Sequence, residues 1–177
     1  MSQLIPPVNK DDHAEGPADA PITLTEYGDF ECPHCGAAYP VVNQLQAHFG
    51  DQLRLVFRHF PLSNAHPHAF AAALAAEAAG RQRQFWAMHH LLFENQQQLS
   101  DWAFDALAKT LGLDIGRFRH DMRDPTLAEK VEADFESGVR SGVNGTPSFF
   151  LGRARYTGGY DYLSLRGAIE AQIAHAR

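Results

Sequence analysis

The chain has 177 residues, 45 % of them hydrophobic, enough to bury a sizeable core in one domain carrying at most an insertion. Lys and Arg number 15 against 21 Asp and Glu, and the resulting net charge of -6 supplies no basic field for a nucleic-acid backbone. No apolar run is long enough to span a bilayer, so neither nucleic-acid binding nor a membrane span is expected.

Residues 1–16 (MSQLIPPVNKDDHAEG) are polar and proline-bearing, which predicts a flexible N-terminal arm. They lack the basic start and apolar stretch of a secretory signal. As written, the sequence therefore points to the cytoplasm; a periplasmic or other extracytoplasmic location would follow if a leader had been removed. Ile22–Gly28 (ITLTEYG) is β-branched, aromatic and nearly uncharged, the pattern of a strand covered on both faces, with Glu26 as its one charge. From Pro33, Ala38, Val41, Val42, Leu45 and Phe49 trace a helical stripe closed by Gly50. Pro40 lies inside this helix, where it removes a backbone donor and predicts a kink. Leu53–Phe60 is a second strand, and strand, helix, strand implies parallel pairing through a right-handed crossover.

Between Pro61 and about Gly142 the pattern turns helical. Four helices are expected: Ala69–Ala79 with Phe70 and Leu74 on one side; Phe85–Gln97; one capped by Ser100 and running through Trp102, Leu107 and Leu111 to Gly112; and one from Asp124-Pro125 through Leu127, Val131, Phe135 and Val139. Ser148–Leu151 and Ala154–Thr157 read as a hairpin around Gly152-Arg153. A closing helix places Tyr162, Leu165, Ile169 and Ile173 in register.

Cys32-Pro33-His34-Cys35 holds the only two cysteines of the chain, at the junction of the first strand and helix. Two residues between cysteines at a helix start let one sulfur point outward and the other inward, within disulfide reach. A Cys32 thiolate there meets unpaired helix donors and the positive end of the dipole, which should lower its pKa. Pro33 suits the first helical position, where its missing N–H costs nothing. His34, when protonated, adds positive charge, and Cys35 is the resolving thiol. A structural zinc site wants four ligands and would have to recruit histidines to this pair, so no metal is assigned. His66, His68, His89 and His90 show no ligand spacing and read as surface or core-edge histidines.

Strand-helix-strand, a helical insertion, then strand-strand-helix is the layout of an α/β thioredoxin fold with an inserted helical domain. The segments PITLTEYGDFECPHCG, FWAMHHLLFENQ and GVNGTPSFFLG give the chain a resemblance to DsbA-type thiol-disulfide oxidoreductases of the shorter bacterial kind, from about Pro17 to Ile173. The resulting division is a thioredoxin-like domain over 17–61 and 142–177 and a helical insertion over 62–141. The resemblance implies a protein disulfide oxidase, with a thioredoxin-like reductase and a non-enzymatic metal- or partner-binding module as alternatives. It implies thiol- or disulfide-bearing protein substrates, a redox partner, no cofactor, and a monomer. It places at Glu26, six residues before Cys32, a buried acid that accepts or relays the proton of the inner cysteine. From the residues alone, Thr146-Pro147 is only a turn before a strand. The resemblance makes that bond cis and packs its loop against the cysteines, the backbone of Thr146 pairing with an extended substrate that Pro147 and Pro33 also meet.

Overall fold

The computed structural model describes residues 2–176. They form two compact units, one holding the residues through Gly28, Ala37–Arg58 and those from Glu136 onward, the other Asp29–Gly36 and His59–Phe135. The expected division placed 29–36 with the sheet; these residues instead belong to the helical unit.

The first unit is built on a five-stranded mixed sheet: β1 (His13–Glu15), β2 (Ile22–Gly28), β3 (Leu53–His59), β4 (Ser148–Leu151) and β5 (Ala154–Tyr156), in the order β1-β3-β2-β4-β5. The neighbours β2 and β3 are joined through α1 (Pro33–Phe49), the long crossover that parallel strands require. The pairs β1 with β3, β2 with β4 and β4 with β5 are antiparallel, and Glu26 stands opposite Phe149. Central β2 buries both faces, with Leu24, Thr25 and Tyr27 wholly covered, as its uncharged pattern predicts. Of these, the fully buried Leu24 side chain contributes about 1.5–3 kcal/mol. Helix α1 runs without interruption through Pro40, and α7 (Tyr162–His175) closes the unit, its Asp161 cap accepting from Ser164 N at 2.9 Å.

The N-terminal segment is not the expected flexible arm. Leu4 is buried and donates its N–H to Arg153 O at 2.8 Å, Ile5 N donates to Ser141 Oγ at 2.8 Å, and His13–Glu15 pairs along β3. The polar composition misleads because Asp12 is consumed inside the fold. Arg58 meets it twice, through Nε at 2.8 Å and Nη2 at 2.9 Å, and also reaches Tyr27 Oη at 2.9 Å and Pro6 O at 3.0 Å.

The second unit contains α2 (Ala69–Gly80), α3 (Phe85–Glu94), α4 (Asp101–Thr110), α5 (Ile115–Met122) and the greater part of α6 (Pro125–Arg140). Helix α5 is an addition to the expected four. Its sequence, IGRFRHDM, buries little beyond Phe118 and so carries almost no apolar stripe; Asp114, accepting from Arg117 N at 3.0 Å, is the cap that marks its start. The α2 face also differs: Phe70 and Leu74 are only half-buried, and seven alanines form its core side. Such small side chains let α3, α4 and α5 pack closely around α2. Trp102, expected on the apolar face of α4, is 87 % exposed. Ser100 caps that helix as expected, accepting from Ala103 N at 3.2 Å.

Candidate active site

Strand β2 ends at Gly28, where a Cβ would strike the ring of Phe57. The chain then turns through Asp29-Phe30-Glu31-Cys32, with Cys32 N donating to Asp29 O at 3.1 Å. Aspartate suits the first position of this turn because its side chain also accepts from Glu31 N, at 2.8 Å. Helix α1 follows at once: Pro33 occupies its first position, and Cys32 O accepts the first helical bond, from Gly36 N at 3.0 Å. Cys32 is therefore the N-cap residue, and Cys35 lies one turn further in.

Both cysteines are buried, Cys32 at 3 % exposure and Cys35 at 0 %, while Pro33 and His34 between them are exposed. The expected outward-pointing sulfur is thus a nearly covered one. Phe30, itself buried, fills the space before the turn, its ring 5.0 Å from that of Phe93 and edge-on to that of His89 at 5.5 Å.

Three side chains hold this turn, and the sequence alone did not single them out. Asp29 Oδ2 accepts from Leu62 N at 2.9 Å and pairs with His66 Nδ1 at 2.8 Å. Glu31 accepts from His68 N at 2.7 Å and pairs with His68 Nδ1 at 2.9 Å. His66 and His68 are thus carboxylate partners of the residues that lead into Cys32, where surface or core-edge histidines were expected. The signal available in the sequence was the matched spacing of Asp29-x-Glu31 and His66-x-His68. Gln96, in the 3-10 turn after α3, directs Nε2 to Phe30 O at 3.0 Å and to Cys32 O at 2.7 Å.

The remaining expected site residues lie in the sheet unit. Glu26 is 3 % exposed, on the central strand. The Thr146-Pro147 peptide bond is cis, and Ser148 Oγ donates back to Gly145 O at 2.7 Å as β4 begins. Half-buried Pro147 lines a groove of about 500 Å³ together with Phe149, Tyr156 and Tyr160.

A dithiol in the first turn of a helix that follows a central strand, together with a cis proline leading into the neighbouring strand β4, is the arrangement of the thioredoxin fold. A sequence-family model described as Thioredoxin matches residues 8–171, and the chain belongs to that family. Its structure is similar to BdbD of Bacillus subtilis in the oxidised form (TM-score 0.85, 24 % identity, 98 % of both chains). It is also similar to α-DsbA1 of Wolbachia pipientis (TM-score 0.85, 20 % identity, 97 % of this chain and 96 % of that one). A thioredoxin-like oxidoreductase of Silicibacter pomeroyi matches at TM-score 0.79 and 25 % identity over 96 % of this chain and 94 % of that one. The fold is accordingly DsbA-like. Curated relatives include proteins named Na(+)/H(+) antiporter NhaA, from Salinispora arenicola (43 % identity over 98 % of this chain) and Herminiimonas arsenicoxydans (44 % over 95 %). The chain spans 27 % of the length of each. Among the described residues no helix is long and apolar enough to cross a membrane.

Proposed function

We propose that the protein is a thiol-disulfide oxidase that passes a Cys32-Cys35 disulfide to extended polypeptides. The observation that carries this reading is the placement of Cys32 as the N-cap of α1, with Cys35 one turn deeper and fully buried. In the oxidised protein a substrate thiolate attacks Cys32 Sγ, forming a mixed disulfide and breaking the Cys32–Cys35 bond. Cys35 leaves as a thiolate and takes up a proton. A second substrate thiolate then attacks the substrate sulfur of the mixed disulfide, and Cys32 leaves as a thiolate. The substrate gains a disulfide, the protein pair gains two electrons, and the protons come from the two substrate thiols.

The direction rests on Cys32 as a leaving group. A thiolate at a helix N-terminus faces the positive end of the helix dipole, which makes Cys32 the better leaving group and favours the reduced protein. Exposed His34 adds positive charge when protonated, and Pro33 presents a flat apolar surface to the incoming chain. Glu26, buried in β2, is assigned the proton exchange with Cys35. Thr146 offers its backbone to an extended substrate ahead of Pro147. Donated disulfides persist only under oxidising conditions, so this reading favours an extracytoplasmic compartment and a partner that reoxidises the pair. The transport activity in the relatives' names belongs to much longer proteins and is not carried over.

Replacing Cys35 by Ser should accumulate mixed disulfides with disulfide-bearing polypeptides, the Cys32 thiolate displacing one substrate sulfur as a thiolate, visible as reducible adducts on gels, whereas Cys32→Ser should form none. A Cys35→Ser protein that reacts no faster with a model disulfide than Cys32→Ser would misassign the attacking sulfur.

A further inference from the structure

Gln96 stands outside the Cys-Pro-His-Cys sequence, yet its carboxamide makes two of the hydrogen bonds that hold the turn. Both hydrogens of Nε2 are spent on main-chain carbonyls, those of Phe30 and Cys32, on either side of Glu31. The Cys32 carbonyl is the one that also accepts the first bond of α1, from Gly36 N. A second, independent feature lies on the other side of the carboxamide. Gly36 is the residue directly after Cys35, and a Cβ added there would collide with Oε1 and Cδ of Gln96. The space over the first turn of α1 is thus kept empty of a side chain and filled by the amide of Gln96.

We propose that Gln96 is a positioning residue of the redox couple, its carboxamide clamping the carbonyls of Phe30 and Cys32 so that the open end of α1 keeps its donors toward the Cys32 sulfur, with Gly36 providing the seat. The inference rests on the oxidoreductase reading above and adds to it a side chain from the helical unit. The physics is that of carbonyl orientation. A peptide carbonyl turned toward a sulfur opposes negative charge on it, and one held away by a donor does not. A charge-bearing group gains from fixed dipoles only while these are held in place. A buried carbonyl deprived of its donor also seeks another partner, which would draw the turn out of shape.

The test uses the full chain in the Cys35→Ser background, where Cys32 is the single thiol, and follows its alkylation by iodoacetamide against pH. Gln96→Ala should move the midpoint of the profile upward and slow alkylation at pH 6 by about three- to tenfold, the scale of one or two such hydrogen bonds. Gln96→Glu, which keeps the size but loses both donors, should move it further in the same direction. Gly36→Ala should reproduce the Gln96→Ala shift and add nothing to it in the double variant, because both changes unseat the same group. Profiles of Gln96→Ala and Gln96→Glu that superimpose on the parent would overturn the clamp, and fully additive shifts with Gly36→Ala would overturn the seat. Should the parent itself show the profile of an ordinary thiol, the oxidase reading falls. The clamp would still be judged by the variants' difference from the parent. Circular dichroism on each variant separates a moved profile from an unfolded chain.

Discussion

Two acid-base assemblies in this molecule, one buried and one partly open to water, use the same chemistry to different ends. In the sheet unit, Arg58 and Asp12 are 2 % and 3 % exposed and meet through a two-point ion pair. Burial alone would pull the arginine's pKa down; the hydrogen bonds it donates to Asp12 and Tyr27 outweigh it and hold the group above its ordinary value. Tyr27 Oη continues the assembly to Ser137 Oγ at 2.8 Å. The charge is permanent, and what it secures is the start of the chain. In the helical unit, Asp29 and Glu31 pair with imidazoles that are 19 % and 40 % exposed. Here the paired segment is the lead-in to the cysteines, held to the residues around His66 and His68 by contacts that water can reach. The lesson is that burial decides whether a charge pair locks a fold or merely positions a turn.

The contrast can be broken most forcefully at Asp12. Asp12→Ala leaves the guanidinium of Arg58 buried without its carboxylate and should cost about 3–5 kcal/mol in urea unfolding, with the exchange rate of the folded protein unchanged. Asp29→Ala removes the acceptor for two backbone N–H groups and one imidazole; a loss of about 1–3 kcal/mol is expected, together with a changed redox equilibrium. If Asp29→Ala changes stability without touching the redox equilibrium, its pair belongs with that of Arg58 as a purely structural device. Glu31→Gln should cost under about 1 kcal/mol, since its partner His68 is 40 % exposed and the pair is screened. The smallest effect concerns a half-buried pair in the same unit. Hydrogen bonds from Arg81 and then Thr126 hold the Asp124 carboxyl down at about 2. A lowered folded-state pKa stabilises above the unfolded value, so this contribution is full at neutral pH and disappears as pH falls from about 4 to about 2. Arg81→Gln should lower stability slightly near pH 7 and flatten the fall between about pH 4 and about pH 2, the two profiles converging at the acid end.

The strands and the redox turn were legible because their signals are local. An uncharged β-branched run made β2, and two cysteines beside a proline marked the helix start. Glu26 was visible as the lone charge in that run, and its burial agrees with the run being covered on both faces. What stayed hidden depends on partners far away in sequence. Asp12 looks solvated until Arg58, 46 residues on, is seen to enclose it. Gln96 sits 64 residues from the carbonyl of Cys32, and no periodicity links them. Helix α5 escaped because a short polar helix on the surface of a bundle needs little apolar surface, and the α2 stripe was misjudged because alanines, not Phe70 and Leu74, form its packed side.

The claim that Cys32 and Cys35 form a redox couple poised to donate a disulfide is tested most directly by equilibrating the parent protein with glutathione buffers and trapping the fraction oxidised. A two-electron transition on the oxidising side of about -200 mV is the predicted result, because a stabilised Cys32 thiolate favours the reduced protein. A transition near about -270 mV, in the range of disulfide reductants, would contradict the oxidase reading, and a pair that does not equilibrate with glutathione would contradict the redox couple itself.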